Sequence, residues 1–209
     1  MVMHPAAFSD AGAVTGNIIT ISEMVTIKND AVGAFCLKEP RYLRKPGHHD
    51  RRQCRRKSDW RIYHDKQSVN ADNTVTLSGG SVSGDVMGAY TKTNGDASGN
   101  TATISGGTVS GDIYGAKITS GTVSNNTVTV TGGTFGEETS VYGGYTEEGD
   151  ASGNKVTIQD VTVNGYAEGG YSGGGSVTGN TACHQAAIPM LKKCIWRPSL
   201  LCRWYRFWK

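Results

Sequence analysis

A repeat of 26 to 28 residues occupies the middle of this chain and constrains its fold more than any other feature. The strings NTVTLSGGSVSGDVMGAY, NTATISGGTVSGDIYGAK, NTVTVTGGTFGEETSVYGGY and NKVTIQDVTVNGYAEGGY begin at residues 73, 100, 126 and 154, and a truncated NTA follows at 180. Because so short a unit cannot bury an apolar face by itself, a tandem array at near-constant spacing predicts that neighbouring units stack.

Each unit opens with alternating apolar and threonine residues, which is typical of a β-strand. In the first unit, Val75 and Leu77 point to one face, while Thr74 and Thr76 point to the other. The corresponding inward pairs in the later units are Ala102 and Ile104, Val128 and Val130, and Val156 and Ile158. No segment shows the 3.6-residue apolar period of a helix, so the pattern predicts an all-β chain.

Turn residues divide each unit into shorter pieces. Gly79–Gly80 predicts a turn with positive φ after the first strand, and a second extended piece follows around Val82 and Val86. The string GDASGN, at 95–100 and again at 149–154, is expected to form the loop that closes the unit.

Stacking of these units predicts a parallel β-solenoid, right-handed like other parallel crossovers. Val75, Ala102, Val128 and Val156 would then form an inner column with a spacing of about 4.8 Å. Thr74, Thr101 and Thr127 would form an outer column. A β-sandwich with long meanders is the competing all-β interpretation, and the near-equal unit lengths favour the solenoid.

Composition separates the repeat from its flanks. Residues 72–182 contain 25 of the 29 glycines, with 3 Lys against 11 Asp and Glu, and they contain no Arg, Cys, Trp, Pro or His. Their net charge is −8 and that of the flanks is +11. The overall charge of +3 is therefore a cancellation and does not indicate a basic protein.

The predicted organisation follows this separation. Residues 1–16 are expected to be an unstructured leader, and 17–35 (NIITISEMVTIKNDAVGAF) a partial repeat unit. Residues 36–71 are expected to be an irregular basic segment, 72–182 the solenoid, and 183–209 an irregular basic and aromatic tail.

Tryptophan and arginine occur mainly where glycine is scarce, which indicates that the flanks are the same repeat read in another frame. The Trp codon TGG, read one base later, begins with GG and so encodes glycine. Shifted in this way, 60–64 permits GGYT and 194–197 permits VYGG, two strings that the repeat contains. The 56 residues between Asn17 and Asn73 equal two repeat lengths, as expected if one unit is missing there. We hypothesise that about 36–70 and 183–209 are out-of-frame translations.

The flanks contain reactive residue types in patterns that favour no site. His48, His49 and Cys54 could approach a metal ion, but the spacings lack a Cys-x-x-Cys pair or a zinc-finger pattern. The basic run 51–61 has the charge of a nucleic-acid-binding segment without a surrounding fold. The tail 192–209 mixes Arg and Trp like a membrane-surface peptide, but prolines interrupt any helix. The five cysteines are Cys36, Cys54, Cys183, Cys194 and Cys202.

The repeat offers carboxylates and threonines as its candidate functional residues. Asp85 and Asp112 occupy the same place in successive units and should stack, as an acid pair in a polysaccharide-acting β-helix would. Asp96 and Asp150 could bind Ca²⁺, although the GGxGxD calcium pattern is absent. The Thr-x-Thr rows resemble ice-binding faces, but outward threonine ladders are common in sheets. We therefore predict no catalytic, cofactor-binding or metal-binding residue.

The units NTVTLSGG, GDIYGA, VYGGYT and GDASGN resemble the Gly/Thr-rich repeats in passenger regions of bacterial autotransporter and haemagglutinin-like surface proteins. This resemblance implies export, a long β-helix on the cell surface, and adhesion to surface glycans or proteins. The chain shows neither a signal peptide nor a C-terminal membrane barrel, so an internal fragment is expected. It also has no apolar run of spanning length.

The expected function is therefore a non-catalytic structural or adhesive segment of a cell-surface protein. One alternative is a β-helix enzyme or binding module that acts on polysaccharide, which a loop between rungs with clustered carboxylates and a Lys or Arg would favour. A second alternative is the non-functional product of a decayed or frameshifted gene.

The out-of-frame hypothesis predicts a result at the level of DNA. Translation of the coding sequence in all three frames should give Gly-rich repeat sequence across 36–70 and 183–209 in a frame other than the one used here. If neither other frame contains Gly–Gly pairs at the repeat spacing, the hypothesis is wrong.

Overall fold

The computed structural model describes residues 7–9, 13–22, 25–36, 42–44, 60–62 and 68–185. The described chain is all-β, without helices, and its parallel strands stack as the predicted β-solenoid. Successive Asn residues, from Asn73 to Asn180, mark four turns of the solenoid. The fold class predicted from the repeat is confirmed.

Three strand stacks form the walls, and we name them by their outward residues or their length. The threonine sheet contains β3 (Ile18–Ile21), β4 (Thr26–Ile27), β9 (Thr74–Leu77), β10 (Ser81–Val82), β12 (Thr101–Val109), β15 (Thr127–Phe135), β18 (Lys155–Gln159) and β21 (Thr181–Gln185). The tyrosine sheet contains β1 (Ala7–Ser9), β5 (Ala31–Cys36), the first part of β11 (Val86–Ser98), β13 (Ile113–Ser120), β16 (Val141–Glu148) and β19 (Ala167–Ser172).

The third wall, the short sheet, has strands of two to four residues. It contains β2 (Ala13–Thr15), β8 (Ser68–Ala71), the end of β11, β14 (Val123–Ser124), β17 (Ala151–Ser152) and β20 (Val177–Thr178). Because β11 runs through both the tyrosine sheet and the short sheet, the two form one 11-stranded sheet. A separate antiparallel pair joins β6 (Tyr42–Arg44) to β7 (Trp60–Ile62).

The strand register confirms the predicted columns. Ala102 lies opposite Val75 on one side and Val128 on the other, and Val156 follows. All four side chains have 0% exposure, so the inner column forms part of the core. The outward threonines pair in the same register, with Thr101 between Thr74 and Thr127. Burial of this aliphatic column stabilises the stack by about 25 cal/mol per Å² of apolar surface.

A buried asparagine ladder lies at the corner where each turn enters the threonine sheet. The backbone N–H and the side-chain Nδ2 of Asn73 both donate to Oδ1 of Asn100, at 3.1 and 2.8 Å. Asn100 donates in the same way to Asn126, at 3.0 and 2.9 Å. The same two bonds join Asn17 to Asn73, Asn126 to Asn154, and Asn154 to Asn180.

The residue before each ladder asparagine adopts the left-handed backbone conformation. Only glycine takes this conformation without steric cost, and Asn and Asp tolerate it better than other residues. The six positions are Gly16, Asp72, Gly99, Asn125, Gly153 and Gly179, with φ between 55° and 68°. The left-handed residue bends the backbone at this corner, and the asparagine that follows it stabilises the bend through its hydrogen bonds to the next turn.

Two predictions about the repeat need correction. The GDASGN string is not simply a loop, because Ala97–Ser98 and Ala151–Ser152 pair as strands of the short sheet. The reason is that Ala97 and Ala151 point into the core with 0% exposure. The Gly–Gly pair takes positive φ as predicted, but in the second and third units the strand continues through it with a shift in register.

The N-terminal region also differs from its prediction. Strands Ala7–Ser9 and Ala13–Thr15 pair with β5 and β8, within the segment expected to be an unstructured leader. Asn17 and Asn73 lie on adjacent rungs, so the stack itself lacks no unit between them. The additional residues lie between β5 and β8, inside one turn, and most of the segment 36–71 lies outside the described residues, as does nearly all of the tail 183–209.

The ladder predicts a large loss of stability for Asn126→Ala. Asn126 is 0% exposed, and it accepts two bonds from Asn100 and donates to Asn154 and to the carbonyl oxygen of Ala97. The substitution leaves several buried groups without partners, so urea denaturation should show a loss of about 3 kcal/mol or more.

The neighbouring Asn125 gives a matched control. It is exposed and has a φ of 55°, so Asn125→Gly should change stability by less than about 1 kcal/mol. Equal losses for the two variants would show that the ladder does not hold the rungs together.

Candidate functional site

The outward surface of the tyrosine sheet carries a cluster of contacting aromatic and charged side chains. Its strands direct two side chains per rung away from the solenoid core, in two columns, and four of these side chains (Val32, Phe35, Met87 and Tyr114) are buried in a cluster of their own. We call this surface the tyrosine face. The first column is Val32, Met87, Tyr114, Tyr142 and Glu168, and the second is Phe35, Tyr90, Lys117, Tyr145 and Tyr171.

A glycine between the columns fixes their direction. Gly115 follows Tyr114, and a Cβ at this position would clash with the carbonyl oxygen of Gly143 and would lie 3.0 Å from Cβ of Asn126. The backbone therefore passes close to the asparagine ladder, and only glycine fits. Ala116 then points into the core with 0% exposure, which returns Lys117 to the outside.

The tyrosine rings form a contiguous array. Tyr114 stacks on Tyr142 with centroids 5.3 Å apart, and Tyr145 stacks on Tyr171 at 4.7 Å, both with an interplanar angle of 11°. Between columns the rings meet edge to face, with Tyr142 and Tyr145 at 5.5 Å. Both arrangements are favourable for aromatic rings. Because stacked rings cover each other's faces, the array presents mainly ring edges and hydroxyl groups at its surface.

Four polar side chains meet beside the array. Lys117 Nζ donates to Oδ2 of Asp85 at 3.2 Å and to the hydroxyl oxygen of Tyr114 at 3.4 Å, and it lies 4.5 Å from the Tyr114 ring centroid. The Tyr114 hydroxyl donates to Oδ2 of Asp112 at 3.0 Å. The predicted stacking of Asp85 and Asp112 is therefore confirmed, and Lys117 supplies the cation beside them.

The second oxygen of each carboxylate is bound to backbone. Oδ1 of Asp85 accepts from the N–H of Asp112 at 2.9 Å, and Oδ1 of Asp112 accepts from the N–H of Ser140 at 2.8 Å. Asp30 binds the N–H of Asp85 in the same way. These carboxylates therefore act as links between rungs, and Asp85 and Asp112 each use both oxygens within the solenoid.

The candidate calcium ligands serve a similar role at the entrance to the short sheet. Oδ1 of Asp96 accepts from the N–H of Thr122, and Oδ1 of Asp150 accepts from the N–H of Ser176, both at 2.8 Å. Within the described ranges, no group of three or more His, Cys, Asp and Glu side chains could hold a metal ion. His48, His49 and Cys54, the other metal candidates, lie outside the described residues.

The threonine rows lie on the outward surface of the threonine sheet. Thr76, Thr103, Thr129 and Thr157 stand in one register column, and Cys183 continues it as an exposed free thiol. The structure thus confirms the outer ladder.

Burial changes the acidity of the tyrosines. Desolvation raises the pKa of Tyr142 to about 12, and the nearby Glu168 and Asp112 charges act in the same direction while a hydrogen bond with Ser140 opposes them. Desolvation also raises the pKa of Tyr114, which is 4% exposed, and the charges of Asp112 and Asp85 add to this effect. Tyr114 and Tyr142 are therefore neutral at physiological pH.

Sequence reasoning missed both the tyrosine face and the asparagine ladder. Asn opens every unit, and a Tyr occurs near the Gly-Ala or Gly-Gly pair in most units, as in MGAY, IYGAK and VYGGY. These recurrences were signals of stacked columns. Their roles depend on which side of the strand each residue occupies, and the bend at the intervening glycine changes the simple alternation.

The fold and the face define a β-solenoid with an aromatic outer column. No protein-family model matches the chain, and neither a curated protein nor a solved structure matches it. The part of the chain that the structure describes contains no helix long and apolar enough to cross a membrane.

The raised pKa of Tyr142 predicts a loss of stability at alkaline pH. Below the ordinary phenol value of 10.0, this group is neutral in the folded and unfolded chains. Between 10.0 and about 12, only the unfolded chain loses the proton, so the free energy of unfolding falls as the pH rises. The Tyr142→Phe variant should lose less of its urea midpoint between about pH 9 and about pH 11.5 than the parent does.

Tyr166→Phe is the control for this titration, because Tyr166 is 54% exposed. It should retain the parental pH dependence. If the urea midpoint of Tyr142→Phe falls with pH as steeply as that of the parent, the buried environment of the Tyr142 hydroxyl is contradicted.

Proposed function

We propose that this chain is a non-catalytic structural and adhesive segment of a bacterial cell-surface protein. The carrying observation is the parallel pairing of successive turns from Asn73 to Asn180, in which the residues at the start of each turn occupy the same register. Every turn adds about 4.8 Å of length along the stack. Such a stack suits a spacer that holds other parts of a protein away from a surface.

The regular turns support this proposal over an enzyme. The units from 73 to 180 differ in length by at most two residues, so none of these turns contains a long insertion that could wall a cleft. The binding and catalytic residues of β-scaffolds are commonly found in such long loops. The larger insertion, between β5 and β8, lies mostly outside the described residues.

The tyrosine face supports an adhesive contribution. Tyr142, Tyr145 and Tyr171 are half-buried, and their ring edges and hydroxyls give an amphipathic surface. Tyrosine is enriched at protein interfaces because it combines apolar area with a hydrogen-bonding group. The partner class that fits this surface is a glycan or protein on a host or bacterial cell.

A polysaccharide-acting module is the second candidate, and Lys117 is the observation that favours it. Its Nζ contacts Asp85 and the hydroxyl of Tyr114, which in turn donates to Asp112, and it is the kind of cation that an acidic substrate would need. The hydrogen bonds already made by both carboxylates argue against proton transfer by either of them. A frameshifted gene product remains the third hypothesis, which the DNA comparison tests.

Surface display is tested on intact cells of the organism that encodes the chain. An antibody against the solenoid should label intact cells as strongly as permeabilised ones. Labelling that requires permeabilisation would contradict a surface location.

Adhesion is tested with the purified chain immobilised on beads. The Tyr171→Ser variant loses an aromatic side chain of the tyrosine face, so its binding to cells should be about tenfold weaker than that of the parent. Thr157→Ser on the threonine sheet should bind like the parent. Release of reducing ends from acidic polysaccharides, abolished by Asp85→Asn, would instead favour the enzymatic candidate.

A further inference from the structure

Two tyrosines in adjacent turns are placed to react with each other. Tyr145 and Tyr171 are partners in the register of β16 and β19, and their rings stack with centroids 4.7 Å apart and planes at 11°. Both side chains are half-buried, so solvent reaches part of each ring. The parallel pairing of the two strands holds the rings in this stacked arrangement, so the two phenols do not have to meet by diffusion.

We propose that Tyr145 and Tyr171 form an oxidative cross-linking site that gives a dityrosine bond between adjacent turns. The co-reactant is a one-electron oxidant of the peroxidase and hydrogen peroxide class. This inference does not depend on the adhesive function.

The reaction balances as follows. Each phenol loses one electron to the oxidant and its hydroxyl proton to water, which gives two neutral phenoxyl radicals. These radicals couple through a new carbon–carbon bond between the ring carbons next to the two hydroxyl-bearing carbons. The hydrogen on each newly bonded ring carbon then moves to the phenol oxygen of the same ring, which restores aromaticity. The protein loses two hydrogen atoms in total, and one hydrogen peroxide is reduced to two water molecules.

The neighbouring rings extend the site without competing equally for the cross-link. Tyr142 lies edge-on to Tyr145 at 5.5 Å and to Tyr171 at 6.3 Å, so oxidation at Tyr142 can pass to the stacked pair through ring contact. Tyr114 also stacks, on Tyr142 at 5.3 Å, but it is 4% exposed and its hydroxyl is bound to Asp112. An external oxidant therefore reaches Tyr145 and Tyr171 more readily.

A bond at this position would join turns whose residues are 26 positions apart in sequence. It would restrict the unfolded chain as a disulfide of similar loop length does, and it would do so without cysteine. The bond also survives reducing conditions. A cross-linked solenoid should therefore unfold at a higher temperature than the parent.

The experiment treats dilute full-length protein with a peroxidase and hydrogen peroxide. The expected products are dityrosine fluorescence, a mass lower by two hydrogens in the monomer band, and a tryptic species that joins 118–155 to 156–192. Tandem mass spectrometry should place the bond at Tyr145 and Tyr171.

Three variants make the assignment specific. Tyr145→Phe and Tyr171→Phe should each lower the yield of the joined peptide at least tenfold, because phenylalanine has no phenol to oxidise. Tyr166→Phe should leave it unchanged, since Tyr166 is 54% exposed and lies on the same peptide as Tyr171 but outside the two columns.

A second control separates the folded geometry from intrinsic reactivity. In concentrated urea, the site-specific yield should fall at least fivefold. A joined peptide that persists in Tyr171→Phe, a yield unaffected by urea, cross-links only between chains, or no cross-link at all would each overturn the proposal.

Discussion

Hydrogen bonding between buried asparagines sets the register on which the rest of the solenoid depends. From Asn73 to Asn154, each ladder asparagine uses its side-chain oxygen to accept two bonds from the previous turn, and uses its N–H groups to reach the next. Apolar columns alone favour stacking but do not fix the register, because one turn could shift along its neighbour and still pack valine against valine. A buried amide tolerates no such slip, because misaligned donors would be left without acceptors.

The same corner explains why glycine is concentrated in the repeat. The residue before each asparagine must take the left-handed conformation, and the glycine after Tyr114 must let two backbones approach. A chain with these corners can turn three times per unit without a helix. The remaining positions are then free to alternate between a small aliphatic core and an outer surface.

The sequence predicted the parallel stack, the inner column through Val75 and the outer column through Thr74, because alternation and spacing report directly on strands. It could not predict that Ala97 lies in a strand, since the surrounding Asp, Ser and Gly are typical turn residues. Nor could it place Lys117 beside Asp85, because that contact joins positions 32 residues apart on adjacent turns. The spacing between Asn17 and Asn73 led to the wrong prediction of a missing unit for another reason. An insertion within one turn and a missing turn give the same number of residues between the two asparagines.

The asparagine ladder also has a direction. Every rung donates from its backbone and side-chain N–H groups to the oxygen of the rung that follows it, so the amide dipoles align along the stack instead of alternating. Aligned amides polarise one another, as they do along a helix axis. The solenoid therefore has a donor end and an acceptor end, and a turn added in the reverse orientation would place like groups together. Growth of the repeat by duplication, which preserves chain direction, is the one form of lengthening that this polarity accepts without a break.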